Sequence, residues 1–73
     1  MDRERYEAEM QRAAAKILIE DRLDYWQGYQ KGLLRRYHGE QVVSTAEHLV
    51  WLNYLSNMAT RNKGKGYFDG LLV

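Results

Sequence analysis

The stretch from Leu49 to Thr60 (LVWLNYLSNMAT) carries no charged residue, in a chain where 29% of residues are charged. Ser44-Thr45-Ala46-Glu47 just before it has the spacing of a capping box: a hydroxyl for the amide three residues on and a carboxylate reaching back. These two features predict a helix over about 45–61. His48, Trp51, Leu52, Leu55, Met58 and Ala59 form a broad apolar arc on it, and Leu49 and Val50 fall outside that arc. Asn53, Ser56, Asn57 and Thr60 make a stripe of small polar residues. A helix whose far side carries Leu49 and Val50 rather than Lys or Glu is expected to be contacted from more than one direction.

Upstream, 2–37 reads as one long helix. Asp2 can cap it, Glu4, Glu7 and Glu9 suit the positive end of its dipole, and Ala13 to Ala15 are strong helix formers. Lys31, Arg35, Arg36 and His38 gather at the other end, and Gly39 is a natural stop. The apolar stripe changes sides partway. Tyr6, Met10, Ala13, Ala14 and Ile17 share one arc, whereas Ile19, Leu23, Trp26, Leu33 and Tyr37 centre on nearly the opposite one. Either the helix bends near Glu20–Asp21 or its halves meet different neighbours; with no glycine or proline at the switch, the second reading is preferred. A continuous helix would span about 54 Å, against a diameter of roughly 29 Å for a compact chain of this length. Its overhanging end would need a partner.

Gly28 and Gly32 share a helix face, and each weakens a helix by about 1 kcal/mol relative to alanine. At that spacing they admit another backbone, with the stripe from Asn53 to Thr60 as the expected neighbour. Gly64 and Gly66 predict the end of helical structure, leaving 64–73 as a short irregular tail with a Tyr67/Phe68/Leu71/Leu72 strap. The expected fold is therefore all-α: a helical hairpin domain over 1–63 and a glycine-containing tail over 64–73, with the hairpin completed as a homodimeric four-helix arrangement. Tyr6, Met10, Ile17, Trp26, Gly28, Gly32, Leu49, Val50 and Trp51 are its candidate dimer or partner interface.

Composition narrows the function classes. A chain of 73 residues buries only about 60% of its unfolded surface, and without cysteine it has no disulfide to compensate, which favours a partner subunit. The charged N-terminus lacks the apolar core of a signal peptide, and no apolar run approaches the length of a membrane span; a cytoplasmic protein without membrane contact is expected. His38 and His48, ten residues apart across a turn, match no zinc spacing, and neither a nucleophile motif nor a phosphate loop is present. The expectation is a non-enzymatic module that binds protein, with no cofactor and no metal. The alternative is a small nucleic-acid-associated regulator. Net charge is only +1, but residues 25–73 hold six Lys/Arg against three Asp/Glu, and Lys31, Arg35, Arg36, Arg61, Lys63 and Lys65 would be the phosphate contacts. Against that alternative, the second helix is uncharged over Leu49–Thr60, where a recognition helix needs base-reading side chains.

Overall fold

A computed structural model describes residues 1–73. The chain is all-helical, with four α-helices: α1 Arg3–Ile19, α2 Leu23–His38, α3 Thr45–Asn53 and α4 Arg61–Leu71, and 3₁₀ turns at Gly39–Gln41 and Tyr54–Ser56.

The first long helix is two helices. Asp2 caps α1 by accepting from the Arg5 amide at 2.8 Å, and α1 ends where Glu20 turns extended. α2 then folds back, so that Ala13 packs against Trp26, Tyr29 and Leu33. No breaker residue makes this turn. It is fixed by what the turn brings together: the Glu20 carboxylate accepts from Lys16 Nζ at 2.9 Å and from Trp26 Nε1 at 3.0 Å, and the Arg22 guanidinium lies 4.2 Å from the Tyr25 ring centre. Trp26, Leu33 and Tyr37 of the second stripe face α1 across the bend, whereas Ile19 and Leu23 of that stripe are exposed beside it. The expected overhang is thereby removed.

The second helix is shorter than its pattern suggests. Ser44 caps α3, its hydroxyl accepting from the Glu47 amide at 3.2 Å, but α3 gives way to a 3₁₀ turn and an extended Asn57 instead of running to 61. The small polar stripe is the cause. Ser56 Oγ donates to the Asn53 carbonyl at 2.7 Å, Thr60 Oγ1 donates to the Tyr54 carbonyl at 3.0 Å, and Asn57 Oδ1 accepts from the Ala59 amide at 2.8 Å. Such side chains offer the backbone local partners that compete with continued helix. They are therefore spent on ending α3, not on packing against Gly28 and Gly32.

The expected irregular tail is instead α4, and its Gly64, Gly66, Tyr67 and Gly70 are buried. Three glycines cost this helix about 3 kcal/mol of intrinsic propensity, and packing against α2 overrides that. A Cβ on Gly28 would overlap the Lys63 carbonyl and one on Gly32 the Tyr67 carbonyl; reciprocally, one on Gly66 would overlap the Tyr25 carbonyl and one on Gly70 the Tyr29 carbonyl. The two backbones touch. Contacts advance together along both helices, Gly66 lying over Tyr25–Tyr29 and Gly70 over Tyr29–Leu33, so α2 and α4 run parallel. Parallel neighbours require a crossover connection, and residues 39–60, with α3, supply it. The division into a 1–63 domain and a tail does not survive: α2 and α4 form the most extensive helix pair in the molecule.

The reciprocity has a basis in sequence. Gly28-Tyr29-x-x-Gly32-Leu33-Leu34 recurs as Gly66-Tyr67-x-x-Gly70-Leu71-Leu72, 38 residues later, and at the same separation Ala8-Glu9 recurs as Ala46-Glu47. The chain is two helical hairpins, α1–α2 and α3–α4, whose glycine faces meet each other reciprocally. Each hairpin covers its own tyrosine: Ala13 of α1 lies against Tyr29, and Trp51 of α3 stacks on Tyr67 with ring centres 5.6 Å apart. Bulk is exchanged between the halves. Where α2 carries Trp26, α4 has Gly64, whose face is filled by the backbone of Tyr54 and the Leu55 side chain.

One chain thus supplies all four helices. Its accessible surface of 4811 Å² matches the roughly 4,700 Å² expected of a compact monomer of this mass. The molecule is a slab of 34 × 30 × 16 Å, and its thinness explains why the buried apolar set is confined to Ala13, Trp26, Tyr29, Leu33, Val43 and Tyr67. No helix is long and apolar enough to cross a membrane.

Candidate interaction surface

Of the nine residues expected at an interface, seven make contacts within the chain. Tyr6 stacks on Tyr37 with ring centres 4.3 Å apart, Met10 and Ile17 pack against the core cluster and Trp26 belongs to it, Gly28 and Gly32 receive α4, and Trp51 stacks on Tyr67. Met10 and Trp51 also line a groove and Leu49 and Val50 are exposed on α3, which gives two candidate surfaces.

The first is a groove of about 350 Å³ lined by Met10 of α1, Gln27, Gln30, Lys31 and Leu34 of α2, and Trp51 of α3. Met10 and Trp51 are far apart in sequence; the fold-back of α1 and the docking of α3 bring them to one site. Gln30 Nε2 donates to the Met10 carbonyl at 3.4 Å. Glu47 closes the α3 side, accepting from Trp51 Nε1 at 3.1 Å and pairing with Lys31 Nζ at 3.0 Å. Those two contacts, Lys31 first, hold its carboxyl below the ordinary carboxylate range. Gln27, Gln30 and Leu34 are absent from the sequence-based set. They share a helix side with one another, but only the positions of α1 and α3 make that side a groove.

The second is the outer side of α3. This helix has no buried residue; Leu49 is 59% and Val50 50% exposed, and Met58 beyond it is also exposed. Its inner side is held to α4 by two contacts. Trp51 stacks on Tyr67, and the Tyr67 hydroxyl meets His48 Nδ1 at 2.6 Å. Burial, and then the Arg35 cation, push the His48 pKa below its ordinary 6.5. In the other hairpin the Tyr29 hydroxyl donates to Glu9 at 2.7 Å and accepts from Arg12 at 3.0 Å. Glu9 lies below its usual range chiefly because of the Tyr29 bond, and Tyr29 is raised chiefly by burial. Each polar group in these networks already has a partner inside the chain, as structural networks require.

The basic residues do not gather. Lys31 pairs with Glu47, and Lys65 with Asp69 at 3.1 Å. Arg35 donates to the Val43 carbonyl at 2.6 Å, and Lys63 sits 6.0 Å from the Tyr54 ring centre. Arg36 and Arg61 are exposed. Because α2 and α4 run parallel, Arg61 near the start of α4 lies at the opposite end of the pair from Arg35 and Arg36. No group of three or more His, Cys, Asp or Glu residues is arranged to hold a metal ion. No protein-family model, no curated protein and no solved structure matches the chain, so its surfaces are the guide to its function.

Proposed function

We propose that this chain is a small non-enzymatic protein-interaction module of the cytoplasm, of adaptor, regulator or inhibitor type, that forms homodimers through the outer side of α3. The observation that carries this reading is the exposure of Leu49 and Val50 on a helix with no buried residue, inside a twelve-residue stretch without charge. Surface helices gain solubility from Lys and Glu at such positions, and a contiguous apolar patch is the usual mark of a protein contact. The groove beside it, with Met10, Leu34 and Trp51 in its lining, extends the apolar surface, and the glutamines that also line it offer amides instead of an acid–base pair. The lack of cysteine suits a reducing compartment.

Association is an added property of a chain that already folds compactly. A contact built on one short helix buries less than a standard interface, which implies a weak dimer in the micromolar-to-millimolar range. Light scattering across a concentration series is expected to give a rising mean mass. Leu49→Glu combined with Val50→Glu should weaken association at least tenfold and leave the far-ultraviolet helix signal unchanged, since neither side chain is in the core. A mass that stays monomeric to about 1 mM would overturn the reading.

A further inference from the structure

The glycine faces of α2 and α4 are two copies of one surface, and this has a consequence for association that does not depend on the α3 face. We propose that two copies of the chain exchange hairpins, α2 of each chain crossing α4 of the other, with residues 39–44 as the hinge.

Three sets of contacts carry this. Those that shape each hairpin lie inside it: Ala13 on Trp26, Tyr29 and Leu33, Trp51 and His48 on Tyr67, and Leu55 on Gly64. They travel with the hairpin. Those that join the hairpins are the glycine crossing, the Tyr25 hydroxyl donating to Asp69 at 2.5 Å, and the Lys31–Glu47 pair. All of these can form between chains as well as within one. What exchange gives up lies in the hinge. There Val42 and Val43 amides bond back to the Gly39 carbonyl, each at 3.2 Å, Arg35 holds the Val43 carbonyl, and Val43 is buried.

Gly39 is the hinge residue. It has the one positive φ in the chain, +80°, and a Cβ there would meet nothing within 4 Å. A side chain at this position is therefore resisted by the backbone conformation of the closed loop and by no neighbour. Glycine meets no such resistance, so the closed loop is unstrained in this chain; with a side chain at the position, an opened, extended hinge relieves the resistance in both chains at once. Exchange between otherwise equal interfaces is governed by such hinge strain.

The test uses the full chain carrying Leu49→Glu and Val50→Glu, so that association through α3 is absent. Adding Gly39→Val should raise the dimerisation constant on the order of a hundredfold, because the positive φ with an extended ψ at this position is open to glycine almost alone and its strain is relieved twice. Tagged and untagged dimers should then trade chains only over hours, because each trade must open a crossing. A Gly39→Val chain that stays monomeric to about 1 mM, or a dimer that re-equilibrates within seconds, overturns hairpin exchange and leaves the α3 reading to its own assay. A second measurement does not need the hinge variant. Gly32→Leu and Gly70→Leu chains each spoil their own crossing, but an exchanged pair retains one intact crossing. The helix signal of their 1:1 mixture should exceed the mean of the two alone, and a mixture equal to the mean is the contrary result.

Discussion

Replacing Gly66 or Gly28 by alanine will destabilise the protein by about 3 kcal/mol or more, although helix propensity alone predicts a gain of about 1 kcal/mol for each change. The two effects have opposite signs, so the measurement is decisive. A methyl group on Gly66 would occupy the space of the Tyr25 carbonyl oxygen and lie 2.8 Å from its carbon; one on Gly28 would meet the Lys63 carbonyl and lie 2.9 Å from the Tyr67 amide nitrogen. These neighbours are backbone atoms and cannot rotate away. The helices must separate, and separation also loosens the tyrosines packed on either side. A chain of this length has a total stability of roughly 4–11 kcal/mol, so each single variant should lose a large part of it, with a fall in Tm of more than about 12 °C. The double variant should cost less than the sum of the two, because a crossing opened once is not closed against the second methyl. Thermal melts of the four proteins suffice. An alanine variant at Gly28 or Gly66 that melts at or above the parent would show that the helices do not touch there.

The glycine pair shows both how far the sequence could be read and where reading stopped. Gly28 and Gly32 at four-residue spacing announce a close backbone approach, and the approach is there. Their partner was hidden because α4 carries Gly64, Gly66 and Gly70 and looks like a flexible tail by local preference. Its helical state depends on the contact it makes, a dependence no local rule contains. The available signal was non-local: Gly-Tyr-x-x-Gly-Leu-Leu stands twice, so a face that seeks a flat neighbour had a replica of itself 38 residues on. The bend at Glu20–Arg22 was half legible. The shift of the apolar stripe marks it, but the groups that hold it, Glu20 with Lys16 and Trp26, become meaningful only once the chain has folded back. The end of α3 was legible in its Asn, Ser and Thr residues, had they been read as competitors for the backbone instead of as a packing stripe. For the candidate surface, Leu49 and Val50 follow directly from the uncharged stretch. The groove does not, because it joins Met10 to Trp51 through the placement of three helices.

Tyr67→Ala will cost about 3–5 kcal/mol, and Tyr67→Phe about 1–3 kcal/mol, and the histidine that Tyr67 meets makes stability depend on pH. Tyr67 is fully buried; truncating it leaves Trp51 without its stacking partner and opens a void beside Gly64. Removing the hydroxyl alone leaves His48 Nδ1 unpaired. The Tyr67 hydroxyl and His48 Nδ1 share one hydrogen bond whose donor is set by the ring tautomer, and the lowered pKa of the ring favours the neutral imidazole in the native state. Burial and the Arg35 cation accordingly lower the His48 pKa from 6.5. The charged and titratable groups around it are Arg35 on α2, Glu47 on α3, itself paired with Lys31, and Tyr67 on α4. Below about pH 6.5 the unfolded chain takes up a proton at His48 that the folded chain refuses. Stability is therefore complete above that pH and declines as pH falls through the lower folded value. The lowered carboxylates Glu9, Glu20 and Glu47 act in the same direction in a separate window, below about 4.5. Urea midpoints measured from pH 8 to about pH 2 should thus show two successive losses. His48→Gln should remove the upper one and keep the lower. A parent protein with level stability between pH 7 and pH 5 would mean that folding does not lower the His48 pKa, and the neutral ring assigned to the native state would fall.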